Sequence, residues 1–151
     1  MKSFVCLCFI ILMIGLCYLS FQPGEVSYRI SDRVAEWLGI EAANGSTHAS
    51  FRVLIFGLDL RKLIHLTAYG SLAICLFFIL DEKTAVWKRI AIAILFPFLL
   101  ACLDEYHQTF MPQRAGLLHD VLVDLTGILL GVVIALLIRL LILLLRKNKA
   151  K

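Results

Sequence analysis

The residues able to do chemistry are few, and they are crowded into two stretches of an otherwise apolar chain. One stretch, LDEYHQTFMPQRAGLLHDVLVDLTGILLG from Leu103 to Gly131, carries Asp104, Glu105, Gln108, Arg114, Asp120 and Asp124. The other, RKLIHLTAYGSL from Arg61 to Leu72, carries Arg61, Lys62, His65 and Tyr69. Arginines can hold an anion such as a phosphate through forked hydrogen bonds. Crowded carboxylates beside a histidine can exchange protons. The same acids and His65 are oxygen and nitrogen donors for a metal, but no HExxH-like spacing is present and no metal site is assigned. No nucleophile stands beside an evident base, so catalytic residues are left unassigned and no cofactor is expected. The plainer alternative is an ion-pair network that only locks helices together. Taken singly, His65 reads as a satisfied histidine, Tyr69 as packing, and Asp120 as an acid at a helix N-terminus. Asp124 lies a turn too deep for that last role.

The spacings say how these residues must be presented. Arg61, His65 and Tyr69 fall at i, i+4 and i+8, along one helical face. Asp104 and Gln108 are i and i+4, with Glu105 beside them. Asp120, Asp124, Gly127 and Gly131 fall at i, i+4, i+7 and i+11. The two glycines admit a close neighbouring backbone, so the aspartates on their face point into a helix bundle rather than into lipid. An acid at mid-membrane costs roughly 2.5–3.5 kcal/mol on insertion scales, less near the interface, so several acids need partners. Arg61, Lys62 and Arg114 are the fixed cations available. Arg114 follows the helix-breaking Pro112 and is expected to contribute little packing.

The frame around these residues is that of an integral membrane protein. The chain has 151 residues, of which 61% are hydrophobic and only 17% charged, and its mean hydropathy is +0.91. A soluble chain this short could not hide so much apolar surface. The net charge of +4 is concentrated towards the tail RKNKAK, without the basic stripe and interleaved aromatics of a nucleic-acid binder. Cys6, Cys8, Cys17, Cys75 and Cys102 all lie in apolar runs and read as small buried hydrophobes rather than as a disulfide framework.

Spans are expected at about residues 4–21, 63–80, 88–109 and 121–145, forming one all-α membrane domain over 1–151. The first run lacks a small-x-small cleavage site and reads as a retained helix rather than a signal peptide. Pro97 is a candidate kink, and residues 81–89, DEKTAVWKR, read as a charged connection. In the polar loop 22–62, Val26, Ile30, Val34, Trp37 and Leu38 share one helical face opposite Arg29, Asp32, Arg33 and Glu36. That pattern suits an amphipathic helix lying in the membrane interface or packed on the bundle. The stretches NGSTHAS and FRVLIFGLDL read as a loop and a lead-in to the second span. Lysine and arginine bias places both termini in the cytoplasm and the polar stretches outside.

The two polar blocks resemble those of the VanZ-like family of small bacterial membrane proteins. RKLIHLTAYGSL is similar to the family's Arg-Lys-x-x-His-x-x-x-Tyr pattern. The longer block is similar to its Asp-Glu-x-x-Gln, then Arg, then Asp-x-x-x-Asp-x-x-Gly-x-x-x-Gly. The chain departs from common members at Ala68, where Glu often precedes the tyrosine, at Gln113, where many have Pro-Gly-Arg, and at Leu117, often polar. The family's namesake is associated with low-level teicoplanin resistance, so the resemblance implies a link to glycopeptide susceptibility and the cell envelope.

The resulting expectation is a protein with four transmembrane helices and one interfacial helix. It would bind an anionic lipid, or a cell-wall precursor or other lipid-linked ligand, at an outward-facing polar site. Arg61 and Arg114 would hold the anion. Asp104, Glu105, Asp120 and Asp124 would hold the arginines or contact a cationic or hydroxylated part of the ligand, and His65, Tyr69 and Gln108 would supply neutral hydrogen bonds. An intramembrane enzyme acting on a lipid-linked head group and a structural accessory subunit are the alternatives. Four spans without a repeat argue against a transporter.

Overall fold

The computed structural model describes residues 2–37, 60–114, 116 and 118–149. Within them every element is a helix: α1 Lys2–Ser20, α2 Gly24–Trp37, α3 Leu60–Ile79, α4 Val86–Gln108 and α5 Leu118–Lys149. Four of these, all but α2, are long and apolar enough to cross a membrane. The expected loop NGSTHAS, its apolar lead-in 51–59 and Leu38 lie outside the described residues.

The spans differ from the expected ones in instructive ways. The second begins at Leu60, so Arg61 and Lys62 belong to its first turn instead of preceding it. Residues 86–89 are helical, not connection, because Trp87 and Arg89 can face the membrane boundary and the bundle respectively. α4 runs through Asp104 and Glu105 to Gln108, with Thr109 as its C-cap, and α5 begins at Leu118, putting Asp120 in its first turn. At 32 residues α5 is about 48 Å long, well beyond the ~30 Å hydrocarbon core, and its basic end projects past it.

Inside a bilayer there is no hydrophobic drive between helices, so close packing and polar contacts must hold them together. α3 supplies the hub: it touches every other helix and packs most extensively on α5. Its buried stripe His65, Tyr69, Leu72, Ala73 and Phe77 has helical spacing. α5 answers with Asp124, Gly127, Ile128, Gly131, Val132 and Ala135. On α4 the buried face is small-sided, with Ala93, Pro97 and Ala101. Outward faces carry exposed leucines and isoleucines such as Leu99, Leu137 and Leu141. The closeness of α3 and α5 depends on glycine at three positions. A Cβ on Gly127 would strike the Leu66 carbonyl, one on Gly131 the Gly70 carbonyl, and one on Gly70 would sit 2.8 Å from the Gly127 oxygen.

The first helix packs loosely against α4, and α2 lies to one side with few contacts. Among the described residues Trp37, at 86% exposed, and Val26 are left exposed on the apolar side of α2, while Ile30 and Val34 are half-buried. Two turns clasp at the polar end of the bundle. Gly24 N donates to Pro112 O at 3.1 Å, and a side chain at Gly24 would collide with Gln113 backbone.

Candidate functional site

The nine polar residues singled out by spacing come from three spans and the α4–α5 turn, and the fold gathers them at one end. Asp104 and Glu105 sit on the buried face of α4 because Ala93, Pro97 and Ala101 establish that face at every fourth position. His65 and Tyr69 project from the α3 hub towards them. Asp124 reaches the same place from α5, since the Gly127 contact fixes α5 against Leu66, the residue next to His65.

Asp104 is the best-connected member. Tyr69 donates its phenol to Asp104 Oδ2 at 3.3 Å, the Ser20 hydroxyl of α1 donates to Oδ1, and His65 Nδ1 lies 3.7 Å from Oδ2. The same His65 nitrogen is 4.0 Å from Asp124 Oδ2, so two carboxylates face one imidazole nitrogen, each just beyond hydrogen-bond distance. Asp124 is 1% exposed, and its Oδ2 has no hydrogen-bond partner among the described residues. Arg61 donates to Gln108 Oε1 at 2.7 Å. Gln108 is fully buried, and among the described residues its Nε2 has no hydrogen-bond partner. Nearer the surface, Lys62 Nζ pairs with Asp120 Oδ1 at 2.7 Å and meets His119 Nδ1 at 3.3 Å. Asp120 is therefore tied to α3 as well as placed at the α5 N-terminus.

Arg114 departs from expectation. It is half-buried, and its Nη2 donates to the Leu19 carbonyl at 2.8 Å, one of the carbonyls left without an intrahelical partner at the end of α1. It thus ties the α4–α5 turn to α1 while lying within electrostatic reach of His65, as Arg61 and Asp120 also do. Gln113, where many family members carry glycine, has a φ of 58°. That left-handed conformation is the one glycine adopts freely.

Among the described residues a cleft and a groove lead to this cluster. One is a polar cleft between α3 and α5, bordered by Arg61, Lys62, Glu105, Asp120 and Asp124, with room for roughly one water. The other is an apolar groove of about 200 Å³ on the α1–α4 side. Leu16, Cys17, Phe21, Leu100 and Leu103 form its walls, while Ser20, Tyr69, Asp104 and His107 supply its polar end. The His107 ring packs on Phe21 with centroids 4.5 Å apart. Ser20 and His107 were not foreseen as members; a lone serine ending an apolar helix is the one signal the sequence offered for the first. Among the described residues no three His, Cys, Asp or Glu side chains are grouped to hold a metal ion.

Four helices long and apolar enough to cross a membrane, with acidic side chains buried where three of them meet, are the architecture of a polytopic helical membrane protein. Residues 5–139 match the VanZ/LLP1 family model, and the chain belongs to that family. No curated protein and no solved structure matches it.

Proposed function

We propose that this VanZ/LLP1 protein binds an amphipathic envelope lipid, or a lipid-linked cell-wall precursor, with its hydrocarbon in the α1–α4 groove and its head group at the Asp104 cluster. The observation carrying this reading is the groove itself. Its apolar walls suit a hydrocarbon chain, and its inner end meets Tyr69, Ser20 and Asp104, which can exchange hydrogen bonds with a hydroxylated head group. Arg61, which borders the polar cleft on the other side of the cluster, and Arg114, on the Leu19 carbonyl, would favour a phosphate on a ligand that reaches past Asp104. The lysine and arginine bias supports cytoplasmic termini in the cell membrane and an outward-facing cluster. The exposure of Val26 and Trp37 among the described residues supports α2 lying in the interface. Sequestering such a ligand at the outer face would connect the chain to glycopeptide susceptibility, as the family's namesake suggests.

The test is the lipid retained by protein extracted in a neutral detergent, measured by native mass spectrometry. Wild type should retain a discrete lipid species. Asp104→Asn, which keeps the shape and an acceptor oxygen, should retain much less, as should Cys17→Trp, which fills the groove. Equal retention by all three would contradict the proposal.

A second reading rests on His65 Nδ1 facing both Asp104 and Asp124. That arrangement suits proton transfer, and thus an enzyme acting on a lipid-linked head group. Turnover of such a substrate, abolished by His65→Gln while lipid retention persists, would favour catalysis over binding alone.

A further inference from the structure

The opposite end of the bundle carries a second concentration of charge, built from residues that take no part in the Asp104 cluster. Arg89, in the first turn of α4, is only 3% exposed. Its Nε and Nη2 donate to the Phe77 carbonyl at 3.1 and 2.6 Å, and its guanidinium lies 4.2 Å from the Phe77 ring centroid. Phe77 is in the last turn of α3, where carbonyls lack intrahelical donors, so Arg89 is fixed by the end of that helix. Arg139 of α5 is near enough for its charge to act on that of Arg89. Arg146, seven residues or about 10 Å further along α5, reaches Glu82 Oε2 at 3.5 Å.

These four side chains border a pocket of about 270 Å³, whose remaining walls include Ile142 and Leu143. Three guanidinium groups therefore face one carboxylate. Among the described residues Arg139 has neither a hydrogen bond nor an ion pair, although its neighbours along α5 are leucines and isoleucines. An arginine so placed is costly unless an anion reaches it or its long side chain snorkels to the interface; among the described residues Glu82 is engaged by Arg146, and Asp81 is near enough to act on Arg89 but does not border the pocket.

We infer that this pocket binds the phosphate head group of an anionic phospholipid, gripped by Arg89, Arg139 and Arg146. A guanidinium matches phosphate oxygens through forked hydrogen bonds. Basic pockets between spans take anionic lipid head groups for this reason. The lipid is favoured over a free phosphate because Ile142 and Leu143, with exposed Leu140 and Leu144 beside them, offer apolar surface to acyl chains. A zwitterionic head group would bring its own cation into a site already in positive excess.

The experiment titrates the full chain, in neutral detergent, with phosphatidylglycerol and with phosphatidylcholine, and reads binding by native mass spectrometry. Wild type should prefer phosphatidylglycerol by about tenfold or more, the scale of one charge-assisted hydrogen bond. Arg139→Gln should lose that preference, and Arg139→Lys should keep part of it. Lys149→Gln, at the exposed end of α5, should retain it in full. Should Arg139→Gln fail to fold, Arg146→Gln carries the same expectation. Millimolar inorganic phosphate should not displace phosphatidylglycerol. An undiminished preference in the folded arginine variant, an equal loss in Lys149→Gln, or displacement by phosphate would each overturn the inference.

Discussion

Alanine at the α3–α5 contact should weaken the fold in proportion to the space denied it. A Cβ on Gly70 would lie 2.8 Å from the Gly127 carbonyl oxygen, where ordinary contact begins at 3.4 Å. The helices must therefore part by about 0.6 Å, and gaps of roughly 0.5–1 Å forfeit a quarter to a half of each dispersion contact. Overpacking of this kind costs about 1–3 kcal/mol. Gly127→Ala and Gly131→Ala press on carbonyls that are closer still, and should fall at or above the upper end of that range. Gly15 provides the internal control, since nothing lies within 4 Å of its Cβ position. Alanine there should be neutral or stabilise α1 by up to about 1 kcal/mol. Reversible unfolding in mixed micelles reads all four variants. The packing argument fails if Gly127→Ala and Gly131→Ala stay within about 0.5 kcal/mol of wild type, or if Gly15→Ala costs as much as they do. Because Leu66 adjoins His65 and Gly127 lies three residues from Asp124, the same variants should also loosen the polar cluster and reduce lipid retention.

Other expectations concern the turn at the polar end. Arg114→Gln should lower stability by about 1–3 kcal/mol, because the Leu19 carbonyl loses a charged donor; an unchanged melting temperature would show that bond to be idle. Gln113→Gly should raise stability by about 0.5–1 kcal/mol, relieving the left-handed backbone at some cost in chain entropy, and a lower melting temperature would contradict this. A cysteine at exposed Phe110, with the five native cysteines replaced, should react with an impermeant thiol reagent on intact cells. Reaction only after permeabilisation would place the cluster in the cytoplasm.

Hydropathy made the spans legible because each apolar run is long compared with its polar interruptions. The fourfold spacing of Arg61, His65 and Tyr69, and of Asp120 and Asp124, was enough to place those side chains on single faces. The glycines at 127 and 131 marked the face of close approach, but not Gly70 as its counterpart, since a lone glycine after Tyr69 has no period of its own. Pairings were harder to read than faces. Four acids and three cations of similar reach admit many combinations, and nothing local says that Arg61 goes to Gln108 while Lys62 goes to Asp120. The Ser20–Asp104 and Arg114–Leu19 contacts escaped for another reason: each joins α1 to a residue more than 80 positions away. Arg89 looked like part of a charged connection, because its burial depends on where α3 ends and not on its own neighbours.

The most direct test of lipid occupancy at the groove uses a lipid with a photoreactive diazirine in its acyl chain, incorporated into membranes containing the protein. Peptides of α1 and α4 bearing Cys17, Phe21, Leu100 and Leu103 should be labelled above the lipid-facing leucines of α5, and Asp104→Asn should lower that excess. Labelling spread evenly around the bundle, or an excess unaltered by Asp104→Asn, would contradict a ligand held between α1 and α4 at the Asp104 cluster.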